Sequence, residues 1–236
     1  MSQLNTPLYN LVKTGNYMYN LHIKGDNRKP LYLSLLKTKQ LTNIFYNSEE
    51  NSICFTAGKI ETLDSLLETH VVTESLCIKM IDTLTQQIKC LEAHKYAHYG
   101  YNIDDILVID DDIFININAN TLLQINEDKS MTFMIPFSCP YFVSPLIKQI
   151  TILPTKIPFK EGYYSLATLL IYCLLNEDLD KDKDKDKDKD KDKDKDKDKD
   201  KDKDKDKLET ILKPIFYTKI YWFLKHCLTQ RILLLI

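Results

Sequence analysis

From Asp180 to Lys207 the chain is an unbroken alternation of Asp and Lys, fourteen of each. Nothing in that stretch is apolar, so any core must be built from the residues on either side of it. On a helix its i,i+3 pairs would be opposite in sign, but its i,i+4 pairs would repel. As a strand it would line one face with Asp and the other with Lys. Ordering it would bury nothing to offset the backbone entropy lost, which predicts a solvated, disordered insertion. A polyampholyte docking arm is the alternative use for such a segment. The repeat is electrically balanced, leaving 20 acidic and 18 basic residues elsewhere. Without a basic excess, composition argues against nucleic-acid binding by bulk electrostatics.

The remaining composition suits a folded chain, with 44% hydrophobic residues among 236. The six cysteines, Cys54, Cys77, Cys90, Cys139, Cys173 and Cys227, are scattered without metal-knuckle spacing. Several fall in apolar runs, where free Cys behaves as a small hydrophobe. With no signal peptide at the N-terminus, an intracellular, reducing setting is expected, most simply the cytoplasm. No apolar run reaches the roughly 18–20 residues a membrane helix needs, so no membrane partner is expected. Glycine is scarce, and no two of Gly15, Gly25, Gly58, Gly100 and Gly162 lie close enough to cradle a phosphate.

Residues 1 to about 30 show little periodicity. Leu31–Leu36 and Ser52–Thr56 are compatible with strands, and Thr62–Glu68 reads as a short helix. Apolar residues at Leu76, Met80, Leu84, Ile88 and Leu91 predict a long amphipathic helix from Thr73 to about Ala97. Ile106–Ile109 and Ile113–Asn118 flank Asp110-Asp111-Asp112, a β-hairpin signal. Leu122–Ile135 alternates like strands around a turn at Asn126-Glu127-Asp128, and Pro136–Pro145 reads as loop. Tyr163–Leu175 is apolar nearly all round, as in a helix buried on every side. Lys219–Ile236 carries apolar residues at helical spacing.

Several residues invite sharper readings. Asp110–Asp112 and the pair Asp104/Asp105 are candidate cation ligands, against a plain reading as turn and cap residues. Asp104 and Asp105 are also candidate general acid/base groups. His94 and His98 have i,i+4 spacing, but position 95 is Lys, so the zincin pattern is absent and a packing role is expected.

The run His98-Tyr99-Gly100, with Asp105 further on and an apolar strand pair after it, resembles the protein-kinase catalytic loop His-Arg-Asp-x-x-x-x-Asn. Asn118-Ala119-Asn120 falls where the metal-binding Asp-Phe-Gly would be. Ser144-Pro145-Leu146 resembles the Ala-Pro-Glu end of the activation segment. Gly162-Tyr163-Tyr164-Ser165 resembles the opening of the kinase central helix, and Arg231 stands on what resembles the closing helix. The style is similar to divergent kinase-like proteins of large DNA viruses. The resemblance implies an α+β fold: a truncated, partly β N-terminal lobe and hinge over 1–60 and a mainly helical C-lobe over 61–179. The disordered insertion would occupy 180–207, and the closing helix 208–236.

Kinase chemistry needs a carboxylate base, Asn and Asp ligands for magnesium, and a Lys gripping the phosphates beneath a Gly-rich loop. At the corresponding positions stand Gly100 for the base, Asp105 for Asn, and Asn118 for the metal Asp. Lys37 and Lys39 are candidates for the phosphate Lys on length alone. The resemblance therefore implies a pseudokinase that binds a protein partner and needs no cofactor. The alternatives are an unorthodox kinase using ATP and magnesium through Asp104 or Asp105, and an unrelated helical interaction domain.

Overall fold

The structure is a computed structural model and describes residues 3–37, 41–176 and 208–229. The Asp-Lys repeat, Lys39 and Arg231 lie outside the described residues.

Three short strands open the chain: β1 (Gln3–Asn5), β2 (Tyr9–Lys13) and β3 (Met18–Ile23). They lead into helix α1 (Arg28–Leu36), and β4 (Thr42–Asn47) and β5 (Ser52–Thr56) follow. All five strands form one antiparallel sheet in the order β1-β2-β3-β5-β4. Alternation puts Tyr9 and Leu11 of β2 and Tyr19, Leu21 and Ile23 of β3 on the buried face. These strands arise where the sequence shows little periodicity. Each is too short for its period of two to stand out, each carries an Asn, and Thr and Gly fill the segments between them.

The run Leu31–Leu36, read as strand-like from sequence, is helical. Pro30 sits in the first turn, where a missing N–H costs nothing. Leu31 and Leu35, one turn apart, are buried together with Tyr32. The Tyr32 hydroxyl accepts from the N–H of Ile23 at 2.9 Å and lies 2.9 Å from the Asn51 carbonyl oxygen, tying α1 to the sheet. Tertiary packing has overridden a local β preference.

After β6 (Ile60–Thr62) come α2 (Leu63–Thr69) and α3 (Glu74–Ala93), capped by the hydroxyls of Thr62 and Thr73. Helix α3 stops short of the expected Ala97, because Lys95 takes φ +64° and β7 (Tyr96–His98) begins. The chain continues through β8 (Gly100–Tyr101), the hairpin β9 (Ile106–Ile109) and β10 (Ile113–Asn116), and β11 (Leu122–Gln124). Next are β12 (Ser130–Phe133), β13 (Phe142–Val143), α4 (Pro145–Lys148), β14 (Thr155–Pro158) and α5 (Glu161–Leu175). The last described helix is Lys219–Thr229.

Helix α5 is the axis of the C-terminal region. Leu166, Ala167, Leu169, Leu170 and Ile171 are fully buried, α5 packing against α3, the last helix and strands β8 and β13. The molecule is thus an α+β protein, β-rich at its N-terminal end and more helical at its C-terminal end. All six cysteines are unpaired, and no helix among the described residues is long and apolar enough to cross a membrane.

Candidate functional site

The loop after α3 is strung between two short strand pairs. His98 of β7 registers with Leu122 of β11, and Gly100 of β8 with Val143 of β13. Between them, residues 98–105 meet the start of the 118–121 segment. Asp105, only 3% exposed, accepts through Oδ2 from the side-chain amides of Asn118 at 2.6 Å and Asn102 at 2.8 Å. Burial raises the Asp105 carboxyl above its ordinary value, opposed by those two hydrogen bonds. Asn102 also accepts from the N–H of Tyr141 at 2.8 Å, joining the loop to the segment before β13. Asn118 in turn accepts from the Asn120 N–H at 2.9 Å.

His98 is 3% exposed, and its Nδ1 lies 2.8 Å from the Thr121 hydroxyl. That hydroxyl donates to the Asn118 carbonyl at 3.1 Å, so it accepts from His98, which fixes the Nδ1–H tautomer. Nε2 is buried without a partner. Desolvation holds the ring's pKa down to about 3, and the imidazole is neutral. His94 does not share a ligand with it: its ring nitrogen lies 2.7 Å from the Cys90 carbonyl oxygen, at the end of its own helix.

Two glycines mark close approaches. A Cβ on Gly100 would lie 2.7 Å from Cγ of Pro140 and 3.1 Å from the Phe142 carbonyl oxygen. A Cβ on Gly162 would lie 2.2 Å from the carbonyl oxygen of His98. Beside it, the fully buried Ser165 hydroxyl accepts from the Ser144 N–H at 3.1 Å and lies 3.0 Å from the Tyr99 carbonyl oxygen. The structure therefore brings together His98, Ser144 and Ser165, with Pro145 opening α4.

A cavity of about 590 Å³ lies in front of Asp105. Asp26, Asp104, Asn120, Phe133 and Phe137 are among its walls, together with Asn102 and Asn118. Among the described residues no group of three His, Cys, Asp or Glu side chains is placed to hold a metal ion. Asp110–Asp112 stand elsewhere. The Asp110 carboxylate accepts from the N–H groups of Gly58 and Lys59 at 2.7 and 2.8 Å, locking the hairpin turn to the start of β6.

Three contributors have no motif to announce them. Asn102 and Thr121 act through partners distant in sequence. Gln87 exchanges two hydrogen bonds with the backbone of Asn116, at 2.8 and 3.0 Å, clamping α3 to β10. A polar residue on the apolar stripe of α3 was the one available sign. Compared with known proteins, the chain matches no family model and no curated sequence.

Proposed function

We propose that this chain is a protein-kinase-like domain that has lost phosphoryl transfer and works by binding another protein. Protein kinases carry a Gly-rich loop over the phosphates, a Lys on the third strand, and a Glu on the following helix that pairs with it. Helix α1 follows the third strand here in the same order. The groups are absent: β1 and β2 are joined by Thr6-Pro7-Leu8, β3 contains no Lys, and α1 contains no acid. Lys24, just past β3, is turned to the Thr6 carbonyl at 2.6 Å and Asn5 at 3.2 Å. Lys37 ends α1 rather than lying on a strand.

The observation that carries the reading is one continuous apolar cluster. Leu11, Leu21, Ile23, Phe55 and Ala57 of the N-terminal sheet and its exit pack with Leu107, Ile109 and Ile115 of the hairpin. Each is at most 4% exposed. On the kinase-like reading, a nucleotide base would enter between that sheet and the hairpin, where these side chains pack against one another, while the open cavity lies beside Asp105 and Asn118. Gly100 adds to this: it offers no base, and Pro140 takes the space a side chain would need.

The rival reading is a residual phosphotransferase, and the placing of Asp104 and Asp105 on the cavity wall favours it. The two separate in an assay of labelled phosphate transfer from ATP, with magnesium or manganese, to generic protein substrates and to the chain itself. The proposal expects no transfer above background. Metal-dependent turnover that Asp105→Ala abolishes would overturn it. Helix over Ile106–Asn118 would support an unrelated helical domain; β9 and β10 stand there.

A further inference from the structure

We propose that the surface around the last helix docks on a bilayer carrying anionic lipid; this goes beyond the protein-binding reading and does not depend on it. Ile220, Tyr221, Leu224, Cys227 and Leu228 seat that helix against the core. Its other face, with the segment before it, is open. Phe216, Tyr217 and Trp222 are 46%, 79% and 56% exposed. Their rings and that of Tyr221 form one continuous string, with centroids 4.3 Å apart for Phe216 and Tyr217, 4.7 Å for Phe216 and Tyr221, and 5.1 Å for Tyr221 and Trp222. Tyr217, the most exposed of them, sits at φ +67°, a left-handed backbone that a bulky residue seldom adopts.

Charge of one sign accompanies the rings. From residue 212 to residue 229 the sequence holds Lys213, Lys219 and Lys225 and no Asp or Glu. None of the three lysines is in an ion pair with a described residue, and Lys213 and Lys219 are exposed. The Lys225 ammonium stands 5.4 Å from the ring centroid of Tyr221 and 5.6 Å from that of Trp222. A lysine so placed keeps its stem on apolar surface while its charge reaches for an anion. The Asp-Lys repeat earlier in the chain is electrically balanced and does not cancel this local excess. Charge complementarity thus selects an anionic occupant, and the rings select one with an apolar layer beneath its charge.

An anionic bilayer supplies both. Its headgroups attract lysine, and the boundary between headgroups and acyl chains receives amphipathic rings, Trp and Tyr above all. Single-stranded nucleic acid needs open ring faces on which bases stack. These rings instead turn edge-on to one another, at 71° for Phe216 and Tyr217 and 76° for Tyr221 and Trp222. An acidic polypeptide satisfies the lysines without giving the rings an apolar layer. The contact is peripheral, because the described helix, 11 residues, is too short to cross a bilayer. The expectation of no membrane partner concerns spanning helices and does not bear on it.

Trp222 is the chain's one tryptophan, so tryptophan fluorescence reports on this patch alone. The test is titration of the full chain with phosphatidylcholine vesicles, with and without phosphatidylserine at about one lipid in three. With the anionic vesicles the emission should move to shorter wavelength and be quenched by lipids brominated on their acyl chains. Pure phosphatidylcholine should need at least about tenfold more lipid for the same change. Lys213→Gln with Lys219→Gln, both exposed, should weaken binding to the anionic vesicles about tenfold and leave the unfolding midpoint unchanged. Equal response to the two vesicles, no response to either, or indifference to the double substitution overturns the proposal. A Trp222 already shielded from acrylamide in the free protein also overturns it, since a second copy or another part of the chain then covers the patch. So does a response to oligothymidylate or polyglutamate with none to vesicles, which assigns the patch to nucleic acid or to protein.

Discussion

Gly162 of α5 lies so close to His98 that a Cβ added to it would stand 2.2 Å from the His98 carbonyl oxygen. The central helix therefore touches the β7–β8 loop backbone to backbone. Nothing larger than hydrogen fits between them. Gly162→Ala must push α5 or the loop aside and should cost about 1–3 kcal/mol, read as a lower midpoint in thermal unfolding. Gly15→Ala is the control, since its Cβ would meet Met18 no closer than 3.5 Å; it should leave the midpoint nearly unchanged. Equal effects of the two would show that the contact does not constrain the fold.

A second consequence concerns repair. On the kinase-like reading proposed above, Gly100→Asp with Asn118→Asp would supply the two carboxylates that reading finds missing, yet the new side chain at 100 meets Pro140 and Phe142. The double variant should be less stable than the parent and still transfer no phosphate from ATP. Transfer by the substituted protein would show that the chain admits nucleotide and would contradict that reading.

His98 makes stability depend on pH. In the folded state its pKa is about 3, against about 6.5 when unfolded. Between those values the unfolded chain holds a proton that the folded chain refuses. The stabilisation is therefore complete above pH 6.5 and declines as pH falls toward 3, by about 1.4 kcal/mol per pH unit. His98→Asn keeps an amide near Thr121 but cannot titrate. Denaturant unfolding from pH 7 to pH 4 should show a shallower loss for the variant, and parallel curves would exclude His98 as the source.

The hairpin turn separates strain from bonding. Asp110 and Asp111 both hold positive φ, 53° and 55°, the pattern of a type I′ turn. Asp110 accepts two backbone hydrogen bonds, whereas Asp111 makes only an exposed ion pair with Lys59. Asp111→Gly should be neutral or stabilise by a few tenths of a kcal/mol. Asp110→Gly should destabilise by about 1–3 kcal/mol despite the same backbone relief. Matched unfolding midpoints for the two variants would contradict this assignment.

What the sequence discloses follows from how local each signal is. The stripe of α3, the β-branched hairpin and the all-apolar α5 are visible because each is long and strongly patterned. Strands β1–β3 are hidden because their alternation covers a few residues apiece. Leu31–Leu36 reads as a strand until Tyr32 is seen reaching Ile23 and Asn51. In the site, His98, Asp105 and Asn118 could be picked out as degenerate motif positions. Asn102, Thr121 and Gln87 could not, because each joins the site to a partner far away in the chain, Tyr141, His98 and Asn116 respectively.

On the kinase-like reading proposed above, the side chains packed between the sheet and the hairpin keep nucleotide out. Thermal unfolding of the protein with and without ATP, each with and without magnesium, tests it most directly, because a ligand of the native state must raise the midpoint. No shift is expected at millimolar ATP under either condition. A magnesium-dependent rise of several degrees would contradict it and return the chain to the active phosphotransferases.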